Sequence, residues 1–297
     1  MNKKIKGMLL ALGSAFMYGV NSVLNKLIIS ESGIAGALAL RTGLVLVIIF
    51  LLCCMTGRKL RISPEMHKKV FLAGLCGSFA TSFLLLNAYR SIPAGTATTI
   101  HFFYPAAICI INALLFREKI SGKTWMALCG ASVGLLFLFE GMEGGKTQDL
   151  LFVISSILSW SFYLIYFSRS GLTKEDPISA AFYAHAVVLF AAIICGLLTD
   201  TLEVTFTVRD LVLIVLTAFF ETGACIFVIL AVGYVGSETT AVLSVFEPIS
   251  SIILEAVTLG ESLSARKIAA CTIILVNIAL LAFLSGKTEQ QKSSQNY

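Results

Sequence analysis

The sequence predicts an all-α integral membrane protein of about ten transmembrane helices, arranged as two inverted five-helix repeats (5+5). Three observations predict it. Of 297 residues, 57% are hydrophobic and only 13% charged, with mean hydropathy +0.90. Soluble domains carry about 25% charged residues, so too little charge remains here to solvate a globular surface. Apolar runs near the ~20 residues that cross a hydrocarbon core recur from end to end. The two halves also share a pattern at one offset. An ungapped shift of 143 sets Pro105 on Pro248, Thr96 on Thr239, Phe103 on Phe246, Glu118 on Glu261, Ser121 on Ser264 and Ala127 on Ala270.

In chain order the spans fall at roughly 7–29, 34–55, 70–90, 95–116, 123–140, 149–170, 178–199, 211–232, 238–259 and 264–285. The first is too long in its apolar region for a cleaved signal, contains Asn21 and Asn25, and is followed by no A-x-A-like site. The second and third are joined by the basic "GRKLRISPEMHKK". The fifth carries "GASVG", whose Gly-xxx-Gly spacing suits close helix packing within the chain or in a homodimer. Residues 1–145 and 146–285 form the two repeats, and 286–297, "GKTEQQKSSQNY", read as a disordered cytoplasmic tail. Five spans is an odd number, so the second repeat enters the bilayer in the opposite sense. That is the architecture of many secondary transporters, whose substrate sites lie near midplane at the repeat interface.

Charge orients the chain. The basic clusters at 3–6, 58–69, 117–123, 169–174 and 287–292 hold fifteen of the 22 Lys and Arg residues, all on one side of the predicted topology. The excess of Lys and Arg marks the cytoplasmic face, so both termini are expected there, in a multi-pass protein of the cytoplasmic membrane. The net charge of +5 is accounted for in this way and needs no nucleic-acid partner.

Several chemistries are excluded or disfavoured. All eight cysteines lie in predicted spans and none has C-x-x-C spacing, so neither a zinc site nor a redox pair is expected. Three "GKT" triplets, at 122, 145 and 286, lack the glycine a phosphate loop needs five positions earlier; Arg117, Glu140 and Leu281 stand there. An ATP-driven pump is excluded. Of the three histidines, His67 is in a loop, and His101 and His185 lie in different spans with no Asp at an obvious spacing. No enzyme, metal or cofactor is therefore expected.

"YGVN" in the first span, "IPAGTATTIHFFYPAAICIINALLFREK" in the fourth and "VGSETTAVLSVFEPISSIILEAVTLGE" in the ninth carry a further pattern: an internal proline and a glutamate thirteen residues later, once per half. In this the chain resembles the EamA family of the drug/metabolite transporter superfamily. The resemblance covers nearly the whole chain. It implies a ten-helix inverted-repeat carrier, an exporter or permease for small metabolites such as amino acids. Glu221, Glu255 and His101 depart from the usual pattern. A flippase for a lipid or lipid-linked sugar is the alternative function.

Helical spacing gathers polar residues into stripes. They are Ser14, Tyr18, Asn21 and Asn25 in the first span, His101 and Asn112 in the fourth, and Ser156, Ser159, Tyr163 and Tyr166 in the sixth. The ninth presents Thr240, Ser244, Glu247, Ser251 and Glu255. Singly, the hydroxyls read as interhelical hydrogen-bond formers; together the stripes read as one wet cavity. Glu221 and Glu247 fall near midplane, where an ionised acid costs about 2.5–3.5 kcal/mol. They are expected to hold a cationic group of the substrate or a coupling proton, facing Tyr18, Asn21, His101 and Tyr163. Glu247 has a second reading, a carboxylate bonded to backbone freed by its neighbour Pro248. Glu118, Glu255 and Glu261 are expected to orient helix ends. Pro105 and Pro248 each free a backbone carbonyl and read as hinges, as openings toward a cavity, or as static kinks.

Overall fold

The computed structural model describes residues 3–28, 34–88, 97, 100–117, 122–138, 147–202, 206–259, 264–266, 268–270, 272–273 and 276–277. Most of the predicted tenth span, the tail after 285, and the expected helix-end residues Glu118 and Glu261 lie outside these residues, as does the Glu255 side chain.

Among the described residues all regular structure is helical. The elements are α1 (Lys3–Ile28), α2 (Ile34–Thr56), α3 (Pro64–Ala88), α4 (Tyr104–Phe116), α5 (Gly122–Leu138), α6 (Thr147–Arg169), α7 (Pro177–Leu198), α8 (Val208–Ser237) and α9 (Thr239–Leu254). Six helices, α1, α2, α3, α6, α7 and α8, are long and apolar enough to cross a membrane, while α4 and α9 are shorter apolar helices. This is a multi-pass membrane protein. Large apolar side chains such as Phe50, Leu51, Phe190, Leu197, Val212 and Phe219 stay exposed on its outside, as a lipid-facing surface requires.

Local chemistry accounts for the helix starts. Asp176 caps α7 by accepting a hydrogen bond from the Ser179 amide, with Pro177 at the first position. Thr207 and Asp210 cap each other's backbone at the start of α8, the reciprocal box that satisfies two orphan amides.

The fourth and ninth spans are not the continuous helices the apolar runs predict. A turn at Phe102–Phe103 precedes α4, and Pro105 sits in the first turn after it. In the ninth span a turn at Val245 divides α9; the helix restarts at Phe246 with Pro248 in its first turn, and helical backbone continues past the apolar stretch to Leu259. In a first turn a proline's missing N–H costs no helical bond, so both prolines lie just past a break rather than inside an intact helix. A third break, at Gly236 (φ 79°, ψ 170°), joins α8 to α9 with almost no loop.

Residues Ala73–Phe79 of α3 form a π-helical stretch. Such a turn loosens the backbone bonding, and Ser159 of α6 takes up the slack by donating to the Cys76 carbonyl at 2.6 Å and the Gly77 carbonyl at 3.1 Å.

Packing repeats between halves. α1 lies against α8 and α9, and α6 against α3 and α4; α2 meets α8 as α7 meets α3, and α2 and α7 meet each other. Exchanging each helix for the one five places along reproduces the set. Small residues permit the close approaches: Ala11, Ala15, Ala180, Ala181, Ala218 and Ala224 are fully buried. Serines act as the glue the stripes allowed for. Ser14 donates to the Ala224 carbonyl at 2.9 Å, while Ser161 donates to Ile157 of its own helix at 2.7 Å and lies 3.3 Å from the Tyr104 carbonyl. In "GASVG", a Cβ on Gly130 would meet the Asn277 side-chain amide, so this glycine serves packing within the chain.

Another tight seam is at Gly19 of α1, where an added Cβ would collide with the Ser250 hydroxyl and lie 2.9 Å from the Glu247 carbonyl oxygen. Gly19→Val is expected to destabilise the protein by about 1–3 kcal/mol, the usual cost of overpacking. At Gly43 nothing lies within 4 Å of an added Cβ, and Gly43→Ala should stay within about 0.5 kcal/mol of the parent. Thermal unfolding of the detergent-solubilised variants checks the contrast.

Candidate functional site

Where α1, α2, α3, α4, α6, α7, α8 and α9 converge, they line a polar cavity of about 120 Å³. All six residues predicted to form a site line it: Tyr18, Asn21, His101, Tyr163, Glu221 and Glu247. The two prolines do not line it. Each directly follows a residue that does, Pro105 after Tyr104 and Pro248 after Glu247.

One wall is aromatic. Trp160 stacks on Tyr163 with ring centroids 4.9 Å apart, and receives Tyr18 edge-on at 6.1 Å and Tyr104 at 6.4 Å. His101 lies 5.4 Å from Tyr104. Ser156 fixes the His101 ring. Its single hydroxyl hydrogen goes to the Val153 carbonyl at 2.6 Å, so the 2.9 Å contact with His101 Nδ1 is an N–H donated to the serine oxygen.

The opposite wall is ionic and centres on Glu221. Asn21 of α1 donates its amide to Glu221 Oε2. His185 of α7 sets Nε2 3.8 Å from Oε1, and Arg41 of α2 shares the cavity and its electrostatic influence on Glu221. His185 Nδ1 lies 2.9 Å from the Ala181 carbonyl, which can only accept, so Nδ1 carries a hydrogen. Nε2 is the ring nitrogen left facing the carboxylate, at a distance of charge contact rather than of a hydrogen bond. Arg41 also donates to Asn25 at 3.3 Å.

Glu247 is placed differently. Its carboxylate is approached by the Ser22 hydroxyl at 3.4 Å, a long contact, and it makes no ion pair among the described residues. The backbone-bonded alternative is not what the geometry records. The Ser250 hydroxyl donates at 2.8 Å to the Glu247 main-chain carbonyl, not to its carboxylate. Two buried polar atoms of the cavity lining, Asn21 Oδ1 and Thr81 Oγ1, have no hydrogen-bond partner among the described residues. An unpaired buried polar group is costly, so these atoms suit water or a polar solute.

The cavity does not run from end to end. Arg58 pairs with Asp176 at 3.2 Å, Ser63 bonds Glu175 through both its amide and its hydroxyl, the Arg61 amide donates to Ser179, and Lys69 donates to the Ser170 carbonyl. These contacts clasp the α2–α3 and α6–α7 connections together. Thr173 in the clasp lies against Gly233, and the neighbouring Tyr234 and Val235 lie against Gly7, so the clasp covers the end where α1 begins. Asn25, Arg41 and Leu86 line the cavity toward the end where α1 finishes. A small crevice of about 10 Å³ adjoins them beside Ile28 and Ile34.

A family model for the EamA-like transporter family matches residues 5–140 and 148–283, nearly the whole chain, in two copies. The chain belongs to the EamA-like transporter family. An uncharacterized transporter of Synechocystis sp. is 23% identical to it over 229 residues, 74% of this chain and 68% of that one. A solved crystal structure superposes with a TM-score of 0.80 at 17% identity, covering 96% of this chain and 99% of that one; at that identity the likeness shows the fold alone. This EamA protein is thus a membrane transporter, and helices from both matched segments line its cavity.

Sequence reasoning left out several cavity residues. Arg41 lies outside the basic clusters and belongs to no polar stripe, yet it is buried in α2 beside Asn25. His185, read as lacking an acidic partner, has Glu221; the two lie 36 residues apart on different helices, beyond any local spacing rule. Cys225 lines the cavity 3.9 Å from His185. Trp160, Tyr104 and Ser22 were also passed over. Conversely, Asn112, placed on one face with His101, accepts instead from Arg169 at 3.3 Å. Ser156 and Ser159 are spent on hydrogen bonds, and Tyr166 stacks on Phe162. Among the described residues no group of His, Cys, Asp and Glu is disposed to hold a metal.

In a cysteine-free background, Ser82→Cys, on the cavity lining, is expected to react with a water-soluble thiol reagent. Ser161→Cys, fully buried behind Tyr104, should not. Equal labelling of both would contradict the cavity.

Proposed function

We propose that this protein is a secondary transporter that moves a small organic metabolite, such as an amino acid or related solute, across the cytoplasmic membrane by alternating access. The observation that carries the reading is the cavity: polar, holding two carboxylates, lined by both family-matched segments, and clasped at one end. An architecture of ten helices as two inverted five-helix repeats, 1–145 and 146–285, fits the packing that repeats when helices are exchanged five places along. In this reading Tyr18, Asn21, His101, Tyr163, Glu221 and Glu247 contact the solute. The breaks at Pro105 and Pro248 act as paired hinges, and a proton is the coupling ion.

A lipid flippase would need an apolar path open to the bilayer for acyl chains. The enclosed ionic wall around Glu221 favours a polar solute instead. Reconstituted protein should therefore exchange small metabolites in a screened panel and should not scramble fluorescent lipids. Lipid scrambling without solute exchange would reverse the choice.

Two further outcomes test the arrangement. With both termini cytoplasmic, the α2–α3 connection is cytoplasmic, and a cysteine placed at Ser63 should be protected from an impermeant reagent added outside intact cells. Glu221→Gln keeps shape and removes charge, leaving His185 and Arg41 without their counter-ion. Removing one partner of a buried pair costs about 3–5 kcal/mol. The variant should insert, unfold more readily, and transport at least tenfold more slowly (about 1.4 kcal/mol in the barrier). Unchanged rate and pH dependence would make Glu221 a structural residue only.

A further inference from the structure

Glu221 and Glu247 face one cavity but are balanced differently. Glu221 is compensated within the chain from three helices, by the Asn21 amide, His185 and Arg41. The groups facing Glu247 are Tyr18 and Ser22 on α1, Tyr104 on α4 and Glu221 on α8. None of these carries a positive charge, and the cationic groups of the same cavity, Arg41 on α2 and His185 on α7, are engaged with Asn25 and Glu221. An ionised, buried carboxylate without a counter-charge is strongly disfavoured, so Glu247 needs a cation from outside the chain. The walls around it supply the second half of a cation site. Tyr18, Tyr104 and Trp160 crowd together beside it, and aromatic faces attract cations.

We propose that Glu247 is the exchange site of this transporter, holding a proton when the cavity lacks substrate and a monovalent organic ammonium when it is loaded, while Glu221 stays paired inside the chain. The proposal rests on the transporter reading above and deepens it by naming the substrate class. The step balances simply. As the ammonium enters, the Glu247 O–H bond breaks, its proton leaves to cavity water, and the carboxylate remains as counter-ion to the ammonium. Release reverses it. One positive charge replaces another, so a full cycle exchanges one ammonium for one proton and moves no net charge.

Trp160 makes binding observable. In the full chain with Trp125→Phe, the remaining tryptophan of the two lines the cavity, and its fluorescence in detergent should respond to phenethylammonium or tetramethylammonium. Competition with one proton predicts that Kd rises by up to tenfold for each pH unit of acidification. Binding in weak buffer should release up to one proton per ammonium. Glu247→Gln, shown to be monodisperse, should bind at least tenfold more weakly and without pH dependence, whereas Glu247→Asp should keep the one-proton slope. If Glu247→Gln does not fold, Glu247→Asp decides. Retention of the slope supports the proposal and its loss overturns it. The site is also overturned if neither probe binds at its solubility limit, if wild-type binding releases no proton, or if Glu247→Gln binds like wild type. Failure of the two readings is distinguishable. One-for-one exchange in detergent with no transport in proteoliposomes sinks the transporter reading alone. Transport unchanged in Glu247→Gln sinks the exchange site alone.

Discussion

A carboxylate inside a membrane bundle has to be compensated by whatever surrounds it, because lipid offers neither water nor counter-ions. Glu221 meets that constraint with groups from three other helices, Asn21 of α1, Arg41 of α2 and His185 of α7. Each holds its own position through a second contact or close packing: Arg41 on Asn25, His185 on the Ala181 carbonyl, α1 on α8 through Ser14 and the Ala224 carbonyl. The charge therefore sets where four helices sit relative to one another. A relative displacement of α1, α2 or α7 must carry its partner group along or leave Glu221 exposed to an apolar interior. The aromatic wall carries no such obligation, since rings of Trp160, Tyr163 and Tyr18 can slide against one another at little cost.

Much of the fold was legible in the sequence because bilayer thickness and helix rise leave few choices. The first, second, sixth and seventh spans agree with α1, α2, α6 and α7 to within a few residues. The departures have local causes. The π-helical stretch at Ala73–Phe79 has no hydropathy signature, since its residues are as apolar as their neighbours. The restarts at Tyr104 and Phe246 were signalled by Pro105 and Pro248, yet an apolar run continues through both breaks. Gly236 ends α8 with a positive φ, at a place where hydropathy barely falls.

The site was legible in part. Helical spacing selected Tyr18 and Asn21, and the cost of burying acids selected Glu221 and Glu247, and all four line the cavity. Spacing along one helix cannot report which residues of another helix lie opposite, which is why His185 and Arg41 were passed over. The same limit promoted Asn112, whose partner is Arg169 at 3.3 Å. The serines show the converse: their polarity was visible, but whether a hydroxyl faces water or a neighbouring carbonyl depends on the helix it meets. Ser159 meets a carbonyl of α3, whereas Ser156 and Ser161 bond back to carbonyls of their own helix.

The wide turn in α3 has a consequence for the numbering of the cavity wall. A π-helical turn accommodates one more residue than the α-turn it replaces, and each residue of an α-helix turns the chain by about 100°. Everything from Ala80 to Ala88 is therefore rotated from where an unbroken helix begun at His67 would put it. Thr81, Ser82 and Leu85 reach the cavity because of that rotation. Take away one residue between Ala73 and Phe79 and the helix would close into regular form, no less apolar, but with its polar face turned toward a different neighbour. In this stretch a single insertion or deletion acts as a change of binding surface, even where Ser78, the one residue of the stretch that lines the cavity, is kept.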